Sequence, residues 1–322
     1  MKLLVLGGTI FLGRHVAAAA LARGHAVTLL NRGRHGAGLF PDVERLVGDR
    51  DGDLGALAAR EFDATIDCSG YTPDQVARSA AALGARAGHV VFVSSISAYA
   101  GFEPGKVYDE SAPLAAGHEG YGALKARAEE VLLAACPGRA AIVRPGLIVG
   151  PHDPTGRFTY WPRRVALGGR VLAPGRPERP VQFVDARDLA AWCVALAESR
   201  TTGCFNAVGP RLPMRELLET CRDAADSDAR FAWMPDAALL ALGVAPWTGL
   251  PLWLPESDPS FGGMLLADLG RAHAAGLRTR DARATVDDTL AWTPDEHDMA
   301  AARPVATLSR EREAECLATL HP

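Results

Sequence analysis

The chain has 322 residues, 48% apolar and 22% charged, with 34 Lys and Arg against 38 Asp and Glu for a formal net charge of −4. That balance suits one large domain or two modest ones sharing a cleft, and it excludes a general electrostatic grip on nucleic acid or an anionic membrane. No stretch reaches the ~18 uncharged apolar residues of a membrane span, and the first apolar run, Leu3–Leu6, breaks at Gly7-Gly8, too early for a secretory signal.

In chain order, KLLVL predicts a strand and FLGRHVAAAALARG a helix. AVTLLN, VERLVGD and ATIDCSG read as strands, followed by a helix through DQVARSAAALGARA, the strand HVVFVSS, a helix around YGALKARAEEVLLAA and the strand AAIVRPGLIVG. Gly24 and Gly138 stand where helices end. Buried runs of Val, Leu and Ile between Ala-rich helices predict an α/β protein with a doubly wound parallel sheet of Rossmann type.

After Gly150 the rhythm changes. PHDPTGRFTYWPRRVALGG is turn-rich and aromatic, VQFVDARDLAAWCVALAES reads as a strand and a helix, and CFNAVG as a strand. Residues 211–322 are irregular, with a last helix N-capped by Ser309. The expected layout is a nucleotide-binding domain over 1–150, rejoined by 179–208, and a smaller discontinuous substrate domain from 151–178 and 209–322. The six cysteines form no C-x-x-C pair and lie in apolar segments, which predicts reduced thiols, a cytoplasmic protein and no metal.

GGTIFLG leaves the first strand and enters the first helix. Glycines there permit a tight turn, and backbone N–H groups at the positive helix end reach a pyrophosphate. Gly7, Gly8, Thr9, Ile10, Phe11, Leu12 and Gly13 are therefore candidate dinucleotide contacts. Gly7 and Gly13 keep the outer frame of G-x-x-G-x-x-G, and Ile10 replaces the middle glycine. Selectivity is read at the end of the second strand. An acid there binds a ribose 2′-hydroxyl, but this chain has Asn31 and Arg32, with Arg34 nearby. A guanidinium pairs with a 2′-phosphate, so NADP(H) is the expected cofactor, with NAD(H) possible. Both arginines can also be read as surface charges. Asp49 and Arg50 are placed to contact adenine, and Asp49 serves equally as a helix N-cap. Ser69 and Gly70, closing ATIDCSG, complete this set.

VVFVSSISAY ends a buried strand in hydroxyls, and YGALK follows on a helix. Tyr121 and Lys125, four apart, share one helix face. A tyrosine is a poor base at neutral pH, whereas a nearby ammonium favours its phenolate. Ser95 is placed to stabilise charge developing on a substrate oxygen.

GGTIFLG, TLLNRG, VSSISAY, YGALK and RPGLIVGP, in that order, with VDARDLA beyond them, resemble the extended short-chain dehydrogenase/reductase superfamily over about residues 1–208. The chain is most similar to a bacterial subgroup described as NAD-dependent epimerase/dehydratase or isoflavone-reductase-like. The resemblance implies a catalytic Ser95, Tyr121 and Lys125, the SSxxxY frame ending at Tyr99 selecting Ser95 over Ser94 and Ser97. It also implies that Pro145, Gly146 and Ile148 line the nicotinamide, that Lys125 reaches the cofactor ribose, and that Gly8 takes the turn while Ile10 supplies only its N–H. The superfamily's nucleotide-sugar dehydratases carry an Asp-Glu pair directly after the triad hydroxyl, where this chain has Ile96 and Ser97. Its epimerases place an Asp where Asn31 stands.

The leading expectation is an NADPH-dependent reductase of a small-molecule carbonyl or imine. A sugar-nucleotide epimerase is the second. A non-catalytic RNA-binding relative is the third, since plant plastid RNA-binding proteins share the atypical glycine motif. For substrate contacts the candidates are Tyr71, His118, His152, Tyr160 and Arg163. The histidines can equally face solvent, FTYWPRR can cap a core, and Trp247 and Trp253 can form either a pocket wall or a structural core. The resemblance also implies a homodimer formed through the helices at about 74–87 and 119–135, whose Ala-rich faces permit it.

Overall fold

The computed structural model describes residues 1–320. Its centre is β1 (Lys2–Leu6), flanked by β2 (Ala26–Asn31) and β4 (Ala64–Asp67). With β3 (Glu44–Val47), β5 (His89–Val93), β6 (Ala140–Pro145) and the strand Gly203–Ala207 they form a seven-stranded sheet ordered Gly203–Ala207, β6, β5, β4, β1, β2, β3, with every pairing parallel. Buried residues run almost without break along β1, β5 and β6, as strands covered on both faces require.

Helix α1 (Phe11–Ala22) and helix α5 (Ala186–Ser199) cover one face, where Ala17 and Ala20 let the two helices approach closely. Helices α2 (Pro73–Leu83) and α3 (Tyr121–Ala135) lie side by side over the other. The strand order changes direction between β1 and β4, and in such sheets the crevice at the carboxyl ends beside that switch holds ligands.

A second core gathers around Phe158, Trp161, Val171, Leu217 and Trp253, spanning α4 (Tyr160–Ala166), α6 (Met214–Ala224) and the parallel pair Arg170–Pro174 with Arg230–Met234. Ser309 caps the helix Arg310–Ala318, accepting from the Arg312 N–H at 3.2 Å. Residues 270–277, read from sequence as part of the second lobe, instead deliver Ala272 and Leu277 to the core under α1 and α5. Leu277 has no periodic partner in its own segment, so its destination is invisible without the tertiary contact. All six thiols are free, four of them fully buried, and no helix among the described residues is long and apolar enough to cross a membrane.

Candidate active site

A cleft of about 850 Å³ opens at the carboxyl ends of the sheet strands, between the two cores. The glycine turn forms its floor. Gly7 adopts φ +86°, and a Cβ there would lie 2.7 Å from the Ser69 Cβ; on Gly13 it would lie 2.0 Å from the Gly7 carbonyl oxygen. Both positions therefore exclude a side chain. Gly8 lies in the turn as expected, but the left-handed residue is Gly7, and Gly8 faces not the cleft but Leu29, whose side chain would lie 2.5 Å from a Cβ there. Ile10 sits at φ −127°, ψ 135°, an extended conformation open to any residue, which explains why the middle glycine is dispensable. The left-handed position falls instead on Phe11, at φ +41°. Helix α1 begins with no capping side chain and no acid in its first turn; the Gly13 N–H donates to the Ile10 carbonyl at 3.1 Å, and no side chain competes with an anion for the positive helix end.

At the far end stand Asn31, Arg32, Arg34 and Asp49. The Asn31 Oδ1 accepts from the Gly33 N–H at 2.8 Å, and its buried Nδ2 has no partner. That spare donor, the two exposed guanidiniums and the side-chain-free glycine cradle fit a dinucleotide lying from β2 to β6. Asp49 caps its own turn, accepting from the Asp51 N–H at 3.1 Å, and caps no helix. Arg50 lines the cleft, but its guanidinium is held by Asp67 through two 2.7 Å contacts and by Ser79 at 3.0 Å. Its buried fork is committed to bracing β4, and adenine contact is left to the neighbouring side chains. Ser69 lines the cleft; Gly70 lies just behind it.

The triad candidates meet at the other end. Ser95, at the end of β5, caps the short turn Ile96–Ala98, its Oγ accepting from the Ser97 N–H at 3.0 Å. Ser94 is committed elsewhere, donating to Glu129. Gly122 is what lets α3 approach this turn: a Cβ there would lie 2.1 Å from the Ser97 carbonyl oxygen. Helix α3 is pinned from behind by Glu129, which accepts from Arg144 Nη2 at 2.6 Å and Nε at 3.0 Å in a fully buried pair. Tyr99 closes that network, accepting from Arg144 Nη1 at 3.0 Å and donating to Asn206 at 2.7 Å.

Lys125 is 3% exposed. Its Nζ donates to the Gly70 carbonyl at 2.7 Å and the Val93 carbonyl at 2.8 Å, and burial depresses it to about 8. Tyr121 projects into the cleft with half its surface open. Crowding by the cleft walls pushes its phenol above the ordinary value, and the Ser95 hydroxyl pulls it back. The Arg157 guanidinium nearby also favours its phenolate. Two carbonyls hold Lys125 under the ring of Tyr71, 5.4 Å from its centroid.

Pro145, Gly146 and Ile148 line this end, and Tyr71 lines the middle. The other substrate candidates are corrected. His118 is exposed beside Arg127, outside the cleft. Tyr160 packs edge-on against Trp161 in the second core, and Arg163 lies over Trp292 on the surface. His152 is held by Asp298 at 2.9 Å, in a cluster where Arg14 pairs with Asp295 and Asp298. Phe158, Trp161 and Trp253 are core residues, whereas Trp247 reaches the cleft. The residues the sequence missed are Asp153, Arg157, Met264 and Arg303. Arg157 directly precedes the FTYWPRR window, and the Asp-x-Thr turn before it was the available signal. Arg303 arrives on a segment that pairs with the 150s loop, its N–H donating to the Pro154 carbonyl at 2.7 Å.

Residues 60–207 match the model of the NAD dependent epimerase/dehydratase family. The match starts beyond β3 and leaves the altered glycine turn outside it. No curated protein sequence matches the chain. Among solved structures, the chain is similar to a candidate epimerase from Burkholderia cenocepacia (TM-score 0.69, 20% identity, covering 90% of this chain and 97% of that one). It is also similar to UDP-glucose 4-epimerase from Thermus thermophilus in complex with NAD (0.64, 22%, 90% and 99%). A third is human epimerase family protein SDR39U1 with NADPH (0.62, 22%, 90% and 99%). At 20–22% identity these likenesses show a shared fold over nine-tenths of the chain. The family likeness is thus carried by residues 60–207, and the likeness of fold extends beyond them at both ends.

Proposed function

We propose that this protein is an NADPH-dependent oxidoreductase that reduces a carbonyl or imine of a small metabolite. The observation that carries the reading is the meeting of Ser95, Tyr121 and Lys125 at one end of a cleft whose other end presents Arg32 and Arg34. The bound cofactor would supply a hydride. Tyr121 gives its proton to the substrate oxygen as charge develops there, and the Ser95 hydroxyl holds that oxygen. Lys125, anchored on the ends of β4 and β5, offers its remaining N–H to the ribose side. Arg32 and Arg34 pair with a 2′-phosphate. Two observations support NADPH over NAD: the missing acid at Asn31 and the exposed Arg32 and Arg34 beside it.

The second reading, a sugar-nucleotide epimerase, is favoured by the family match and by the neighbours described as 4-epimerases. One experiment separates the two. NADPH consumption is followed at 340 nm over a panel of ketones, aldehydes and imines, and UDP-glucose is incubated with enzyme and NAD and examined by NMR. Net consumption of NADPH supports reduction. Formation of UDP-galactose without net consumption supports epimerisation and overturns the leading reading.

A further inference from the structure

Beyond its pull on the Tyr121 phenol, Arg157 has no role in the chemistry above, yet the structure holds it with care. Asp153 is 4% exposed, and its Oδ1 accepts from both the Thr155 N–H at 2.9 Å and the Thr155 hydroxyl at 2.7 Å. Thr155 Oγ1 in turn accepts from Arg157 Nε at 3.2 Å. This chain of contacts uses one edge of the guanidinium. Among the described residues the two terminal nitrogens have no partner and Arg157 forms no ion pair, although it lines the cleft beside Tyr121. Burial in that wall disfavours its charge, so an unpaired fork here carries a standing cost.

Across from it stands Trp247, with the guanidinium carbon 5.8 Å from its ring centroid. Trp247 adopts φ +65°, a left-handed conformation that a bulky aromatic avoids. The loop imposes it: the Trp247 N–H donates to the Trp253 carbonyl at 2.8 Å, and Pro246 bridges to Leu250. Backbone strain of this kind persists where the surroundings over-determine it, and it gathers at ligand-binding positions.

We propose that Arg157 and Trp247 form a carboxylate subsite, so that the metabolite processed at Tyr121 is an anionic one. The inference rests on the reductase reading and deepens it by naming the substrate class. A guanidinium fork matches a carboxylate in geometry, and Trp247 supplies a flat wall for the carbon skeleton beside it. A diphosphate, with its greater charge, calls for several cations, and here the fork has the Asp153 carboxyl for a neighbour. Two other cleft cations, Arg32 and Arg303, act instead on Tyr71, towards the cofactor.

The test measures binding, so it does not depend on turnover. Benzoylformate and its methyl ester share a ketone and an aryl ring and differ in the carboxylate. Each is titrated by calorimetry into the NADP⁺-loaded protein. The acid is expected to bind about tenfold or more tightly than the ester, the scale of one charge-assisted contact. Arg157→Met removes that preference while leaving the affinity for NADP⁺ unchanged. Arg157→Lys keeps the charge and loses the fork, retaining part of the preference, and Thr155→Ala, which frees the Nε anchor, reduces it without touching the charge. Equal affinities in the wild type, or a preference that survives Arg157→Met, overturns the subsite. Tight binding of UDP that Arg157→Met abolishes overturns it too, by assigning the fork to a diphosphate. Failure of the reductase reading looks different: the carboxylate preference remains, with no NADPH consumed.

Discussion

At the cofactor end of the cleft the protein works with backbone: a turn cleared of side chains at Gly7 and Gly13, an uncapped helix start, and strand ends fixed by a seven-stranded register. At the substrate end it works with side chains carried on irregular segments that come from residues 153–157, 247, 264 and 303. The first kind of site tolerates sequence change wherever a backbone conformation survives it, as Ile10 shows by replacing a glycine in an extended position. The second depends on chains of specific contacts, such as Asp153 to Thr155 to Arg157. The comparison teaches where substitution is cheap. It also teaches where family likeness stops being informative, because such loops are where members of one fold diverge.

The sharpest way to break this comparison is at the junction of the two ends. Tyr121→Phe removes only the phenolic oxygen. It is expected to lower kcat by on the order of 10²–10⁴ with cofactor affinity retained, and Ser95→Ala to lower it by about 10–10³. If Tyr121→Phe keeps more than about a tenth of wild-type turnover with chemistry rate-limiting, the acid lies elsewhere in the cleft.

The triad end hangs from α3, which carries Tyr121 and Lys125 and which the Arg144–Glu129 pair ties to β6. Arg144→Met strands a buried carboxylate and is expected to cost about 3–5 kcal/mol in urea unfolding. A loss below about 1 kcal/mol would show that α3 is held by its packing alone. At the adenosine end, Arg32→Ala is expected to weaken NADPH binding by about 10–150-fold, the equivalent of about 1.5–3 kcal/mol, and to leave NADH unchanged. Fluorescence titration of both cofactors reads this directly, and equal wild-type affinities would remove the case for NADPH.

A smaller effect is expected of pH. Lys125 is depressed from its ordinary 10.5 to about 8 in the native state. Between those values the unfolded chain holds the proton that the native protein has shed, so stability rises with pH, and below about 8 the cost of the buried charge is present in full. Thermal unfolding of the wild type against Lys125→Met, at intervals from pH 7 to 10, checks the sign: the rise specific to the wild type is absent in the variant. The smallest effect is expected at His118→Ala, outside the cleft, where turnover and cofactor affinity stay at wild-type values.

By itself the sequence determined the sheet, the helices over it, and the side chains whose spacing is local. Alternating buried strands and Ala-rich helices announce themselves through periodicity. Tyr121 and Lys125 are legible because a helix places residues four apart on one face. Gly7, Arg32 and Ser95 are legible because each sits at a strand end in a repeating unit. Only the tertiary structure decided which arginines meet the cleft. Arg50 and Arg157 look alike in sequence, yet one is spent on Asp67 and the other is left with an open fork. It also separated Trp247 from Trp253 and brought Arg303 across from the far end of the chain. These choices rest on long-range packing and on which polar partner reaches a buried charge first, and no local pattern of residues records either.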